Sequence, residues 1–115
     1  MNFNEYQDWA KTTDVFTQPK INHVDDPSFI TKVLGLSGEA GEVSEKFKKI
    51  LRDKNGIINE DDKAEIVKEL GDVLWYVAII ARYMDVPLEK VVEQNVAKLS
   101  ARLANNKLHG SGDNR

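Results

Sequence analysis

Apolar residues recur along this chain mostly every three or four positions, the period of a helix. Tyr6, Trp9 and Ala10 fall at i, i+3 and i+4 and predict a first helix over about residues 4–12. The stretch "TQPKINHVDDPSF" lacks the period and reads as a loop. Asp26 and Pro27 then form a start signal, a cap followed by a residue whose missing N–H would be unpaired there anyway. Leu36, Ala40, Val43, Phe47, Ile50 and Leu51 stripe a second helix over about residues 27–52, with Gly56 as its left-handed terminator. Asn59 is the cap of a third helix, with Asp61 and Asp62 against its positive end. Ile66, Leu70, Val73, Leu74, Val77, Ile80, Ala81 and Met84 carry that helix to about residue 84. Asp85-Val86-Pro87 breaks the pattern. A fourth helix follows with Leu88, Val91, Val92, Val96, Leu99 and Leu103.

No run alternates with turn dipeptides between, so a sheet is not expected. The pattern predicts an all-α, four-helix bundle-like fold in one domain over residues 1–108. The polar segment 109–115, "HGSGDNR", reads as a flexible tail. The third helix is apolar around most of its circumference across "VLWYVAII", including Trp75 and Ile79. One small bundle does not bury every side of it, so a homo-oligomer is expected, a tetramer before a dimer.

Two stretches depart from good helix chemistry. "GLSGEAGEVSEKFKK" places Gly35, Gly38 and Gly41 inside the second helix, and "KELGDVLWYVAIIA" places Gly71 inside the third. Each glycine costs a helix interior about 1 kcal/mol relative to alanine. The same stretches carry Glu39-Ala-Gly-Glu42 and Glu69-Leu-Gly-Asp72. Residues three apart share a helix face, and each pair borders the apolar stripe. If the two helices run antiparallel, the pairs converge into a cluster of four carboxylates that repel one another. A hard divalent cation relieves that repulsion, and an all-oxygen donor set suits Mg²⁺ or Mn²⁺. The plain alternative is two solvated acidic faces. The glycines have two readings, close helix packing or room for a ligand. A di-iron bundle would need Glu-x-x-His motifs on two helices, whereas the only histidines are His23 and His109.

Composition narrows the classes further. The chain has 115 residues, no cysteine and a net charge of −3. Disulfides and thiolate metal sites are excluded, and a general nucleic-acid binder would be basic. The start "MNFNEYQDWAK" is no signal peptide, and no apolar run approaches the ~20 residues of a membrane span. A cytoplasmic protein with no nucleic-acid or membrane partner is expected.

The two glycine-bearing acidic stretches together resemble the MazG-like nucleotide pyrophosphohydrolases of the all-α NTP pyrophosphatase superfamily. Their hallmark is ExxE, a spacer, then ExxD. Glu39 and Glu42 match the first pair and Glu69 and Asp72 the second, with 26 residues between the pairs. The resemblance covers about residues 27–105. It implies Mg²⁺-dependent hydrolysis of a nucleoside triphosphate to the monophosphate and pyrophosphate, with these four acids as metal ligands and catalytic residues. It also implies oligomers with sites completed near subunit interfaces. Asn95, Lys98 and Arg102, one face of the fourth helix, match residues that face phosphates in the family. Lys46, Lys49 and Glu45 are secondary candidates beside the acids. Tyr76, one turn after Asp72, matches a residue near the base or sugar; Trp9, His23 and Trp75 are other candidates for base contact. Arg115, on the tail, is a candidate to fold over bound phosphates. Phosphoribosyl-ATP or dUTP hydrolysis within the same superfamily, and a non-catalytic helical assembly module, are the alternatives.

Overall fold

In the computed structural model, which describes residues 1–16 and 18–115, the described residues form four α-helices and no strand. Helix α1 spans Phe3–Ala10 and runs into a short 3-10 turn, Lys11–Thr13. Helix α2 spans Pro27–Lys54, α3 spans Glu60–Tyr83 and α4 spans Leu88–Ala104. No helix among the described residues is long and apolar enough to cross a membrane.

The ends follow local chemistry. Asp26 accepts the Ser28 N–H at 2.8 Å and caps α2, with Pro27 in the first turn. Asn59 and Asp62 cap α3 reciprocally, so two orphan N–H groups are satisfied. Asn2 and Glu5 do the same for α1, one residue earlier than the apolar pattern places it. The left-handed stop of α2 begins at Asn55, with φ +54°, and Gly56 continues it at +76°. Gly56 is therefore the second left-handed residue of the stop, and Asn55 takes the first because asparagine tolerates that conformation. Helix α4 has no side-chain cap of its own residues; the Gln7 side chain accepts the Leu88 N–H at 3.0 Å. Gln7 is buried and also donates to the Ala78 and Val86 carbonyls, both at 3.0 Å, so it ties α1 to the α3–α4 turn.

Helices α2 and α3 form an antiparallel hairpin. Gly35 lies against Tyr76, Glu39 near Asp72, and Lys46 near Glu65, so position rises on one helix as it falls on the other. Helix α1 packs on α3 and α4, and α4 also packs on α3. The core is small: Ala10, Phe29, Ile79 and Tyr83, with Trp75 and Ile80 packed against it. Ile79 is fully buried here, so it is not part of a surface awaiting a partner. The unburied apolar surface lies elsewhere, on Phe47, Leu51, Val67, Leu70 and Leu74 of the hairpin and Val96, Leu99 and Leu103 of α4. The radius of gyration is 16.9 Å, against about 13 Å for a compact chain of this length.

Candidate metal centre

The α2–α3 register brings Glu39, Glu69 and Asp72 together. Each offers a carboxylate oxygen, and these oxygens lie within 4.8 Å of one another. Glu39 and Glu69 are half-buried and Asp72 is exposed. Glu42 is exposed and stands outside this group of three. Its charge still reaches Glu39, whose carboxyl is held above the usual range by burial first, then by Asp72, Glu69 and Glu42. That is the direction expected of a half-buried acid set among other acids, and it leaves room for a counter-charge. Lys46 supplies part of one, with its Nζ 3.7 Å from Glu69 and 3.9 Å from Glu65. Glu45 points its charge at Lys48, 2.7 Å away. Lys49 lines a neighbouring pocket at the α2–α3 junction with Lys46 and Asp62. The donor set around Glu39 is all carboxylate oxygen, which fits Mg²⁺ or Mn²⁺.

The glycines have two explanations, not one. A Cβ on Gly35 would fall into the Tyr76 ring, with the Tyr76 hydroxyl 2.7 Å away. Gly35 therefore exists for close packing. Gly38, Gly41 and Gly71 have no atom within 4 Å of where a Cβ would sit, so helix packing within this chain does not account for them.

A cleft of about 320 Å³ opens beside the acids, lined by Glu39, Asp72, Thr13, Trp75 and Tyr76. The Trp75 and Tyr76 rings meet edge to face at 5.0 Å. Trp9 is half-exposed, stacks on Tyr6 and does not line the cleft. Tyr6 itself is near: its phenol is held above its usual pKa by burial and then by Asp72. His23 is exposed, 3.8 Å from Asp25. Asn95 and Lys98 line a separate pocket on α4 with Val86 and Lys90. Lys98 and the buried Arg102 both hold Asp113, at 3.2 and 3.3 Å. Arg115 donates to the carbonyls of Lys107 and Leu108 at 3.0 and 2.8 Å.

Sequence reasoning passed over a buried charged group behind the cleft. Asp14, its side chain 1% exposed, lies 3.0 Å from the Lys32 Nζ, itself 6% exposed. Asp14 also accepts from the Tyr83 hydroxyl and from the Phe16 N–H. Burial, then the Asp14 hydrogen bond and charge, push the Tyr83 phenol well above its usual range, so it stays a donor at neutral pH. The available signal was Lys32 itself, a cation three residues after Phe29 and four before Leu36 on the apolar side of α2.

Fold and site thus define a small helical protein with carboxylates gathered from two glycine-bearing helices. Residues 28–106 match the family of the MazG nucleotide pyrophosphohydrolase domain, and the chain belongs to this family. The Gene 37 protein of Mycobacterium phage L5 is 41% identical over 116 residues, covering the whole of both chains. No solved structure matches the chain.

Proposed function

We propose that this chain is a Mg²⁺-dependent nucleoside triphosphate pyrophosphohydrolase, releasing pyrophosphate and a nucleoside monophosphate. The observation that carries the reading is the convergence of Glu39, Glu69 and Asp72 within 4.8 Å, next to a cleft with two aromatic walls. These three acids hold the cation, with Mn²⁺ as a substitute for Mg²⁺. When bound, the ion supplies positive charge that polarises the phosphates. Glu42, outside the group, orients the attacking water. Tyr76 and Trp75 border the nucleoside. Their edge-to-face arrangement leaves ring surface for a planar base.

The cations of α4 belong to a second part of this proposal. Asn95, Lys98 and Arg102 do not line the cleft of their own chain. We assign them to the phosphates of a neighbouring copy's substrate in a homo-oligomer, a tetramer before a dimer. The open hairpin surface and the large radius of gyration support assembly. Phosphate oxygens would then replace Asp113 on Lys98 and Arg102, and Arg115 would move with the tail. Light scattering at micromolar concentration is expected to give a mass two or four times the 13.0 kDa of one chain. A monodisperse particle of single-chain mass would refute the assembly.

The enzymatic reading is tested by a panel of nucleoside triphosphates, phosphoribosyl-ATP and dUTP included, with Mg²⁺ and pyrophosphate as the measured product. Release from no member of the panel would overturn it. Metal binding has its own readout. Mg²⁺ or Mn²⁺ at a hundredfold excess over its Kd is expected to stabilise the fold by about 2.7 kcal/mol. The rise in Tm disappears with Glu39→Gln if the carboxylates are the ligands.

A further inference from the structure

We propose that the buried Asp14–Lys32 pair positions Thr13 against Trp75, and that this wall receives the nucleoside half of the substrate rather than its phosphates. The inference rests on the nucleotide reading of the cleft and goes beyond it by naming what builds the wall.

The cleft has two ends of different chemistry. Glu39 and Asp72 form an acidic end, and Thr13, Trp75 and Tyr76 form an aromatic end. Two of the aromatic-end residues sit on α3, a rigid helix. Thr13 does not: it is the last residue of the 3-10 turn, where the chain leaves helical structure. Its hydroxyl oxygen nevertheless accepts the Trp75 indole N–H at 2.8 Å and donates to the Ala10 carbonyl at 2.8 Å.

The next residue explains how Thr13 is held. Asp14 is anchored from three directions: Lys32 of α2, the Tyr83 hydroxyl of α3 and its own neighbour's Phe16 N–H. Arg82 adds a second positive group at 3.8 Å. Lys32 is enclosed by rings, its Nζ 4.5 Å from the Phe16 centroid, 5.6 Å from Tyr83 and 5.9 Å from Trp75. A buried ion pair is a poor device for stability alone, because desolvation of both charges offsets most of their attraction. An apolar pair would fill the same space. What ions and hydrogen bonds add is direction, and here the direction fixes the backbone beside the cleft. Asp14 and Lys32 do not line the cleft, so they are positioning residues.

The test compares Thr13→Val, Lys32→Met and Lys32→Arg in the full chain, with a nucleoside triphosphate as substrate and tripolyphosphate as a competitor that lacks a base. Thr13 is exposed, so Thr13→Val keeps the fold intact while removing the indole acceptor. Thr13→Val and Lys32→Met are expected to raise KM about tenfold with kcat within about twofold, the pattern of lost ground-state binding. Inhibition by tripolyphosphate stays unchanged in both, and Lys32→Arg recovers most of the KM. The indole N–H resonance of Trp75 is expected to move when wild type binds nucleotide and not when it binds tripolyphosphate. An unchanged KM in Thr13→Val overturns the inference. So does equal weakening of nucleotide and tripolyphosphate in Lys32→Met, which marks a merely structural role. Absence of nucleotide turnover in wild type is a different failure, that of the enzymatic reading itself.

Discussion

Pyrophosphate release is expected to fall by about 10²–10³-fold when Glu39 becomes glutamine or Asp72 becomes asparagine, the order of loss found when a single preorganised electrostatic group is removed from an active site. The substitutions change charge and leave shape nearly constant. Both residues belong to the group whose oxygens lie within 4.8 Å of one another, so either change removes one of the proposed metal ligands. The helical signal persists, because neither residue caps a helix or fills the core. Without metal the variants are expected to be no less stable than wild type. Glu39 is crowded by three other acids, and its neutral amide ends that repulsion. Glu69→Gln behaves differently in this respect, since Glu69 has the Lys46 ammonium 3.7 Å away and loses an ion pair as well as a repulsion. Full turnover in Glu39→Gln or Asp72→Asn, measured with saturating Mg²⁺, would remove the metal-centre reading. Full turnover in excess chelator would do the same.

The acidic site was legible because helix geometry is local. Glu39 and Glu42 must share a face whatever the tertiary fold, and so must Glu69 and Asp72. Their meeting across two helices required only that α2 and α3 run antiparallel through a short connection. The finer placement was not legible. Which three of four acids draw closest depends on the exact rotation of each helix, and three residues span about 300° of turn rather than a full one. The glycines show the same limit. Gly35, Gly38 and Gly41 look alike along the chain, yet only Gly35 meets a ring. Helix ends were readable to within a residue or two at Asp26 and Asn59, where the capping side chain is adjacent in sequence. At α4 the partner of the first N–H is Gln7, 81 residues away, and no local pattern announces it.

The same distinction governs the segment after α1. Asp14 stands in a polar stretch and reads as a loop residue, while Lys32 reads as one more cation on a long helix. Their burial follows from tertiary packing of Phe16, Trp75 and Tyr83 around them, and its energetic consequence is large. Lys32→Met is expected to destabilise the fold by about 3–5 kcal/mol, the usual cost of leaving one charge of a buried pair behind. Asp14 would keep the Tyr83 hydroxyl and the Phe16 N–H, and Arg82 at 3.8 Å would partly compensate, so the lower end of that range applies. A loss of about 3 kcal/mol lowers Tm by roughly 10 °C or more in a domain of this size. The double variant Asp14→Asn with Lys32→Met removes both charges of the pair, its amide still accepts from Tyr83, and Arg82, which loses Asp14, is a quarter exposed and keeps contact with solvent. It is therefore expected to recover most of the lost stability, a non-additivity that residues in contact or in one network display and distant, independent sites do not. Urea unfolding measures both, as a fall in the transition midpoint for the single variant and its return in the double, at an unchanged m value. If Lys32→Met alone unfolds within about 1 kcal/mol of wild type, the Asp14 carboxylate is not held by Lys32, and the segment between α1 and α2 is fixed by its aromatic contacts instead.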